Sequence, residues 1–163
     1  MTAFAHIVGR INRLAEYTAV IAFAGLILDV TVAVFFRYVL NDSLVWAEEL
    51  ARYCFVWVTF IGGGLGVGKN IHVGVDSLVV LLPERQRKLV EVCVEAALIV
   101  FLVVLIAVGV QFTLLGMRSH SMLLGVSMSF VYAALPAGAV VMLANVMASF
   151  GAHYAAFVRE EVR

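Results

Sequence analysis

Charge is what this chain has least of. Asp, Glu, Lys and Arg together make up 13% of its 163 residues, where a soluble domain carries about 25%. A water-facing fold of this size needs a polar exterior, and so few charges cannot supply one. That excludes a soluble globular protein. The formal net charge is zero and no basic stripe runs along the sequence, which removes nucleic acid as a partner. Cysteine is nearly missing as well. Cys54 and Cys93 are the only two, each inside an apolar stretch, so neither a disulfide framework nor a metal-ligand spacing exists and both read as packing residues. The histidines, His6, His72, His120 and His153, fall at or beyond the ends of the apolar stretches, whereas a membrane haem needs them within facing helices. No Ser, Cys or His has a plausible base partner, so neither catalysis nor a cofactor is expected.

What is present is apolar. Hydrophobic residues reach 64% and the mean hydropathy is +1.06. A membrane-crossing helix needs roughly 20 mostly apolar residues, and four stretches meet or approach this, at about 14–38, 50–68, 89–117 and 123–150. Each must be helical, because an open sheet edge cannot be left unpaired in hydrocarbon. The sequence therefore predicts an all-α integral membrane protein, one four-helix bundle forming a single membrane domain over 1–163. Arg10 and Arg13 before the first stretch mimic a secretory signal, but the apolar run continues to Phe36 with no small-residue cleavage site close behind, so it is expected to be retained as a span. Lys and Arg concentrate on the cytoplasmic side of membrane proteins. Arg10, Arg13, Lys69, Arg85, Arg87, Lys88, Arg159 and Arg163 fall on one side of these spans and only Arg37, Arg52 and Arg118 on the other. Both termini and the middle connection are accordingly expected in the cytoplasm.

Within the middle connection, Leu78 to Leu82 form an apolar patch after Asp76 and Ser77, either of which can cap a short helix. A short interfacial segment between spans two and three is expected. Pro83 and Glu84 suit the first turn of the next helix, which would run to Met117 over roughly 50 Å and must tilt or project from the bilayer.

Some residues need more than solvation in lipid to explain them. Asp29 lies inside span one, where a carboxylate costs about 2.5 to 3.5 kcal/mol on insertion scales, so it must face protein or water. It reads either as an ion or proton site or as a group hydrogen-bonded to a neighbouring helix, of this chain or another. The structural reading is favoured, since few other polar groups join it at the midplane. Span two ends in Gly62, Gly63, Gly64, Gly66 and Gly68, giving two small-xxx-small registers, Gly62 with Gly66 and Gly64 with Gly68, where helices can approach closely. Lys69 after these glycines makes no phosphate loop, because no strand precedes it. Pro136 removes a donor and crowds the carbonyl of Tyr132, so span four is expected to bend, as a static kink rather than a hinge. The connection between spans one and two carries Arg37, Tyr38, Trp46, Glu48, Glu49 and Arg52. Interfacial aromatics, a snorkelling Arg37 and an i, i+4 pair of Glu48 with Arg52 account for much of it. They do not account for Glu49 beside Glu48 where the helix enters lipid.

From about Leu28 to Pro83 these residues resemble the small, DctQ-like membrane subunit of tripartite ATP-independent periplasmic (TRAP) transporters. The likeness rests on Arg37-Tyr38 at the end of the first span and on the Trp-x-Glu-Glu-Leu-Ala-Arg stretch from Trp46 to Arg52. It continues through the small-residue helix, then His72 and Asp76 four apart, then Leu82-Pro83 before the third helix. The resemblance implies a bacterial cytoplasmic-membrane subunit with two partners, a large multi-span membrane subunit and a periplasmic substrate-binding protein, all working in lipid. The large subunit would carry substrate and sodium, so no cofactor is expected here. An elevator-like mechanism is implied, in which this subunit braces the static scaffold during ion-coupled uptake of a small organic acid. Trp46, Glu48, Glu49 and Arg52 would then form a periplasmic-side anchor, with Arg37, Gly62 and Gly66 as further partner contacts, and His72 with Asp76 would secure the cytoplasmic connection. Two alternatives stand beside this. One is a self-sufficient proton-coupled transporter using Asp29; the other is the small subunit of a tripartite tricarboxylate transporter, which the Trp-x-Glu-Glu stretch disfavours.

Overall fold

The computed structural model describes residues 2–69 and 84–161. Five helices account for nearly all of it: α1 (Thr2–Val39), α2 (Ala47–Lys69), α3 (Glu84–Gly116), the single-turn α4 (Met128–Tyr132) and α5 (Ala134–Glu161). Four segments are long and apolar enough to cross a membrane: Phe4–Val39, Ala47–Val67, Val92–Gly116 and Met128–Phe150. No strand occurs among the described residues, only one isolated bridge between His120 and Ser127. His72, Asp76 and the expected interfacial segment lie outside the described residues.

Three boundaries differ from those the hydropathy pattern predicts, each for a local reason. α1 begins well before residue 14, because the polar first turns (Arg10, Asn12, Arg13) continue the helix beyond the apolar stretch. α2 begins at Ala47 rather than 50, since Glu48 and Glu49 sit in its first turn, where acidic groups favour the positive end of the helix dipole. The fourth span does not start at 123. Residues 119–127 fold back on themselves instead, with Ser121 N–H donating to the Val126 carbonyl (2.8 Å), Met128 N–H to Ser119 (2.9 Å) and Gly125 at φ +65°, a left-handed value that glycine adopts without strain. Ser127 caps α4, accepting from the Ser129 N–H.

The expected bend at Pro136 is a break at Ala133, one residue past the carbonyl that the proline ring would crowd, dividing α4 from α5. It is filled from the facing helix. A Cβ on Gly109 of α3 would lie 3.0 Å from Pro136 Cδ, and one on Gly116 would lie 2.7 Å from the Ser129 nitrogen. The two glycines stand seven residues apart on one face of α3, so α3 can lie flat along α4 and the start of α5.

The four spans are arranged as an array in the order α1, α2, α5, α3. α2 packs against both α1 and α5, and α5 against both α2 and α3, while α1 touches α5 only lightly and α3 has no comparable contact with α1 or α2. Burial follows position: 39% of the α4–α5 span is inside the protein against 6% of α1. Two small apolar clusters hold the array, Ala15 with Ile61 and Val141 across α1, α2 and α5, and Leu102 with Ala139 and Val146 between α3 and α5.

The tightest contact is where α2 crosses α5. A Cβ built on Gly64 would stand 2.8 Å from the Gly138 carbonyl oxygen, and one on Gly138 would overlap the Phe60 carbonyl. Beside this crossing, the side chains of Asn12 and Asn145 exchange hydrogen bonds (2.8 and 3.0 Å), and Asn145 Nδ2 also donates to the carbonyls of Gly64 (3.2 Å) and Val141 (3.1 Å). A buried amide thus ties three helices together where neighbouring lipid offers no hydrogen bond.

Candidate functional site

The sequence singles out the turn between spans one and two, and the structure distributes its residues between two tasks. Glu49 faces inward. Its Oε1 accepts from the Tyr53 hydroxyl (2.6 Å) and its Oε2 from the backbone N–H groups of Leu123 (3.2 Å) and Leu124 (3.1 Å). Tyr53 is buried, with the Met128 sulfur 3.6 Å from its hydroxyl oxygen. One carboxylate therefore fastens the start of α2 to the connection after α3, which explains why a second acid stands next to Glu48. Sequence reasoning missed its partners, since backbone N–H groups of Leu123 and Leu124, 74 and 75 residues away, leave no signature in residue type. Replacing Glu49 by Ala is expected to lower the melting temperature of the purified chain and to let the Leu123 and Leu124 amides exchange as freely as other loop amides. Hydrogen exchange read by mass spectrometry checks both the site and the cause.

Glu48 and Arg52 face outward. Both are exposed, and the surface pair expected between them is not formed among the described residues. With about 100° between successive residues of a helix, Glu48, Arg52, Phe55, Thr59, Gly62 and Gly66 fall within an arc of about 80° along the whole of α2. Phe55 is 58% exposed, and a Cβ on Gly62 or Gly66 would meet nothing within 4 Å. The two glycine registers in the sequence are thus put to different uses, Gly64 against α5 and the pair Gly62 and Gly66 on a face that the chain itself leaves uncovered. Trp46, immediately before α2, is 40% exposed.

Beside the head of the strip, α1 and α2 enclose a cleft of about 250 Å³ lined by Asp29, Ala33, Arg37, Tyr38, Ser43 and Glu48, among others. Asp29 is buried to 7% exposure. Its Oδ2 has no hydrogen-bond partner. Arg37 is exposed at the mouth of the same cleft. On the other side of α2, two apolar hollows meet at Thr18 and Trp57, one between α1 and α3 floored by α2 and α5, the other lined by α1, α2 and Leu124, Val126 and Phe130. Trp57 lies there against Phe130 with ring centroids 5.4 Å apart. Among the described residues, no three His, Cys, Asp or Glu side chains gather as metal ligands.

Known proteins resemble this chain over most of its length. A family model described as the DctQ component of tripartite ATP-independent periplasmic transporters matches residues 12–155. The chain is 30% identical over 133 residues to the sialic acid TRAP transporter small permease protein SiaQ of Vibrio cholerae, covering 82% of this chain and 77% of that protein. It is 31% identical over 133 residues to the sialic acid TRAP transporter permease protein SiaT of Haemophilus influenzae, where the match spans only 22% of a much longer chain. Over 100 residues it is 33% identical to the C4-dicarboxylate TRAP transporter small permease protein DctQ of Vibrio cholerae, covering 61% of this chain and 43% of that one.

Proposed function

Since the chain belongs to the DctQ component family of TRAP transporters, we propose that this small membrane subunit braces a large transport subunit, which itself carries the substrate and the coupling ion. The outward strip of α2 is the observation that supports the bracing role. It runs the length of the span, charged at one end (Glu48, Arg52) and small at the other (Gly62, Gly66), and small residues are what allow another helix to approach closely in lipid. Asn12 and Asn145, by contrast, are polar side chains engaged in holding the chain's own helices together. A substrate path would need several such groups free and gathered at the midplane.

On this reading the protein sits in the bacterial inner membrane with both termini and the middle connection in the cytoplasm, as the Lys and Arg distribution supports. Trp46, Glu48, Arg52 and Arg37 then lie at the periplasmic end as partner contacts, and His72 with Asp76 serve the cytoplasmic connection. Glu49 joins the anchor through the shape it gives that end. A periplasmic binding protein delivers a small organic acid, of the class to which the sialic acids and C4-dicarboxylates in the names of its relatives belong.

Proteoliposomes containing this chain alone are expected to take up no organic acid, and those containing the complete complex to take it up. Gly62→Leu with Gly66→Leu should leave the lone chain's melting temperature unchanged, because each new side chain enters open space. The same pair should reduce co-purification of the large subunit and uptake together. Solute accumulation by the chain alone would refute the bracing role.

A further inference from the structure

Asp29 is a group the bracing reading leaves unexplained. Its side chain is 7% exposed, its Oδ2 has no partner, and it lines a cleft that opens beside the uncovered strip of α2. A carboxylate enclosed in hydrocarbon without a counter-charge is costly, and such groups pair with a cation wherever one can be brought to them. Neither of the chain's own nearby cations is paired with it. Arg37, about 12 Å of helix further along α1, is exposed at the outer end of the cleft, and Arg52 of α2 is exposed as well.

We propose that the Asp29 cleft receives a Lys or Arg side chain from a transmembrane helix of the large subunit, forming an ion pair between subunits below the headgroup level. This rests on the bracing reading and adds the chemistry of the contact. Depth argues for a protein cation over a lipid one. About 15 Å of helix lies between Asp29 and the end of α1 at Val39, which places the carboxylate inside the hydrocarbon layer. A lipid ammonium lies outward of its phosphate and would have to be drawn down into that layer, whereas a Lys or Arg side chain on a spanning helix extends along the bilayer normal by several ångströms. Rotation of the carboxyl about its Cβ–Cγ bond exchanges the two oxygens, so either can turn to the incoming cation. Glu48 at the rim adds a second negative charge facing the same opening.

The test uses the full complex purified through a tag on this chain, with Asp29→Asn and Asp29→Leu. Recovery of the large subunit should fall at least about tenfold, as expected when one member of a desolvated charge pair is removed, while the lone Asp29→Leu chain melts at or above the wild-type temperature. Asp29→Cys should form a disulfide with a cysteine placed at one membrane-embedded Lys or Arg of the large subunit. Neutralising that same cation should restore recovery in the Asp29→Asn background. Undiminished recovery overturns the proposal, and so does a lone chain that Asp29→Leu destabilises, which would make the carboxylate an internal strut. Retention of phosphatidylethanolamine by the lone wild-type chain and its loss in Asp29→Asn, read by native mass spectrometry, would overturn it in favour of a lipid ligand. If the wild-type chain recovers no large subunit, the bracing reading itself falls, and the proposal with it.

Discussion

Gly138→Leu is expected to prevent the bundle from forming. Even a methyl group at this position would overlap the Phe60 carbonyl, which is backbone of α2 and cannot rotate aside as a side chain can. Overpacking of a close contact costs about 1 to 3 kcal/mol when neighbours can yield, and here α2 would have to move away from α5 as a body. That movement would also pull Gly64 from its crossing and Val141 from the cluster with Ala15 and Ile61. Denaturant titration of the purified chain in micelles should give no native baseline for Gly138→Leu and a shifted midpoint for Gly138→Ala. Gly62→Leu, on the same helix pair but facing open space, is the matched control and should titrate as wild type. A native-like Gly138→Leu would mean that α2 and α5 do not cross here.

Asn145→Leu is the second large effect. Asn145 is 5% exposed and bonds α1 through Asn12 and α2 through the Gly64 carbonyl. Hydrogen bonds between membrane helices average about 0.6 kcal/mol each; several lost together, with the half-buried Asn12 amide left unmet, should destabilise the chain by roughly 2 kcal/mol. The sign of the second substitution identifies the cause. Asn12→Leu added to Asn145→Leu should recover part of the loss, because two apolar side chains leave no stranded amide. Unfolding midpoints of the two single variants, the double variant and the wild type test this directly; strict additivity would mean that the two amides do not interact.

Asn12 and Asn145 also mark where sequence reasoning stopped short. Neither stands out by residue type, since each is one amide near the end of an apolar run, and their pairing joins positions 133 residues apart. The partners of Glu49 were hidden for a related reason: a backbone N–H is present at every residue but proline, so nothing in composition marks the two that a carboxylate will reach. The Gly62 to Gly66 run was visible as a close-packing signal, but not which glycine would be used. That depends on the rotation of α2 about its axis, which Tyr53, Trp57 and Ile61 set by turning inward together.

Four spans, their helicity and the membrane as solvent followed from the sequence alone. Hydropathy is a sum over neighbouring residues, and lipid leaves an isolated segment no alternative to the helix. Only the tertiary structure decided the order of the helices in the array, the inward turn of Glu49, the outward strip of α2 and the enclosure of Asp29. Inside a bilayer the apolar faces of a helix are nearly equivalent to the solvent, so periodicity does not choose among them. The choice falls to a few close backbone crossings and buried polar groups, whose partners are distant in the chain.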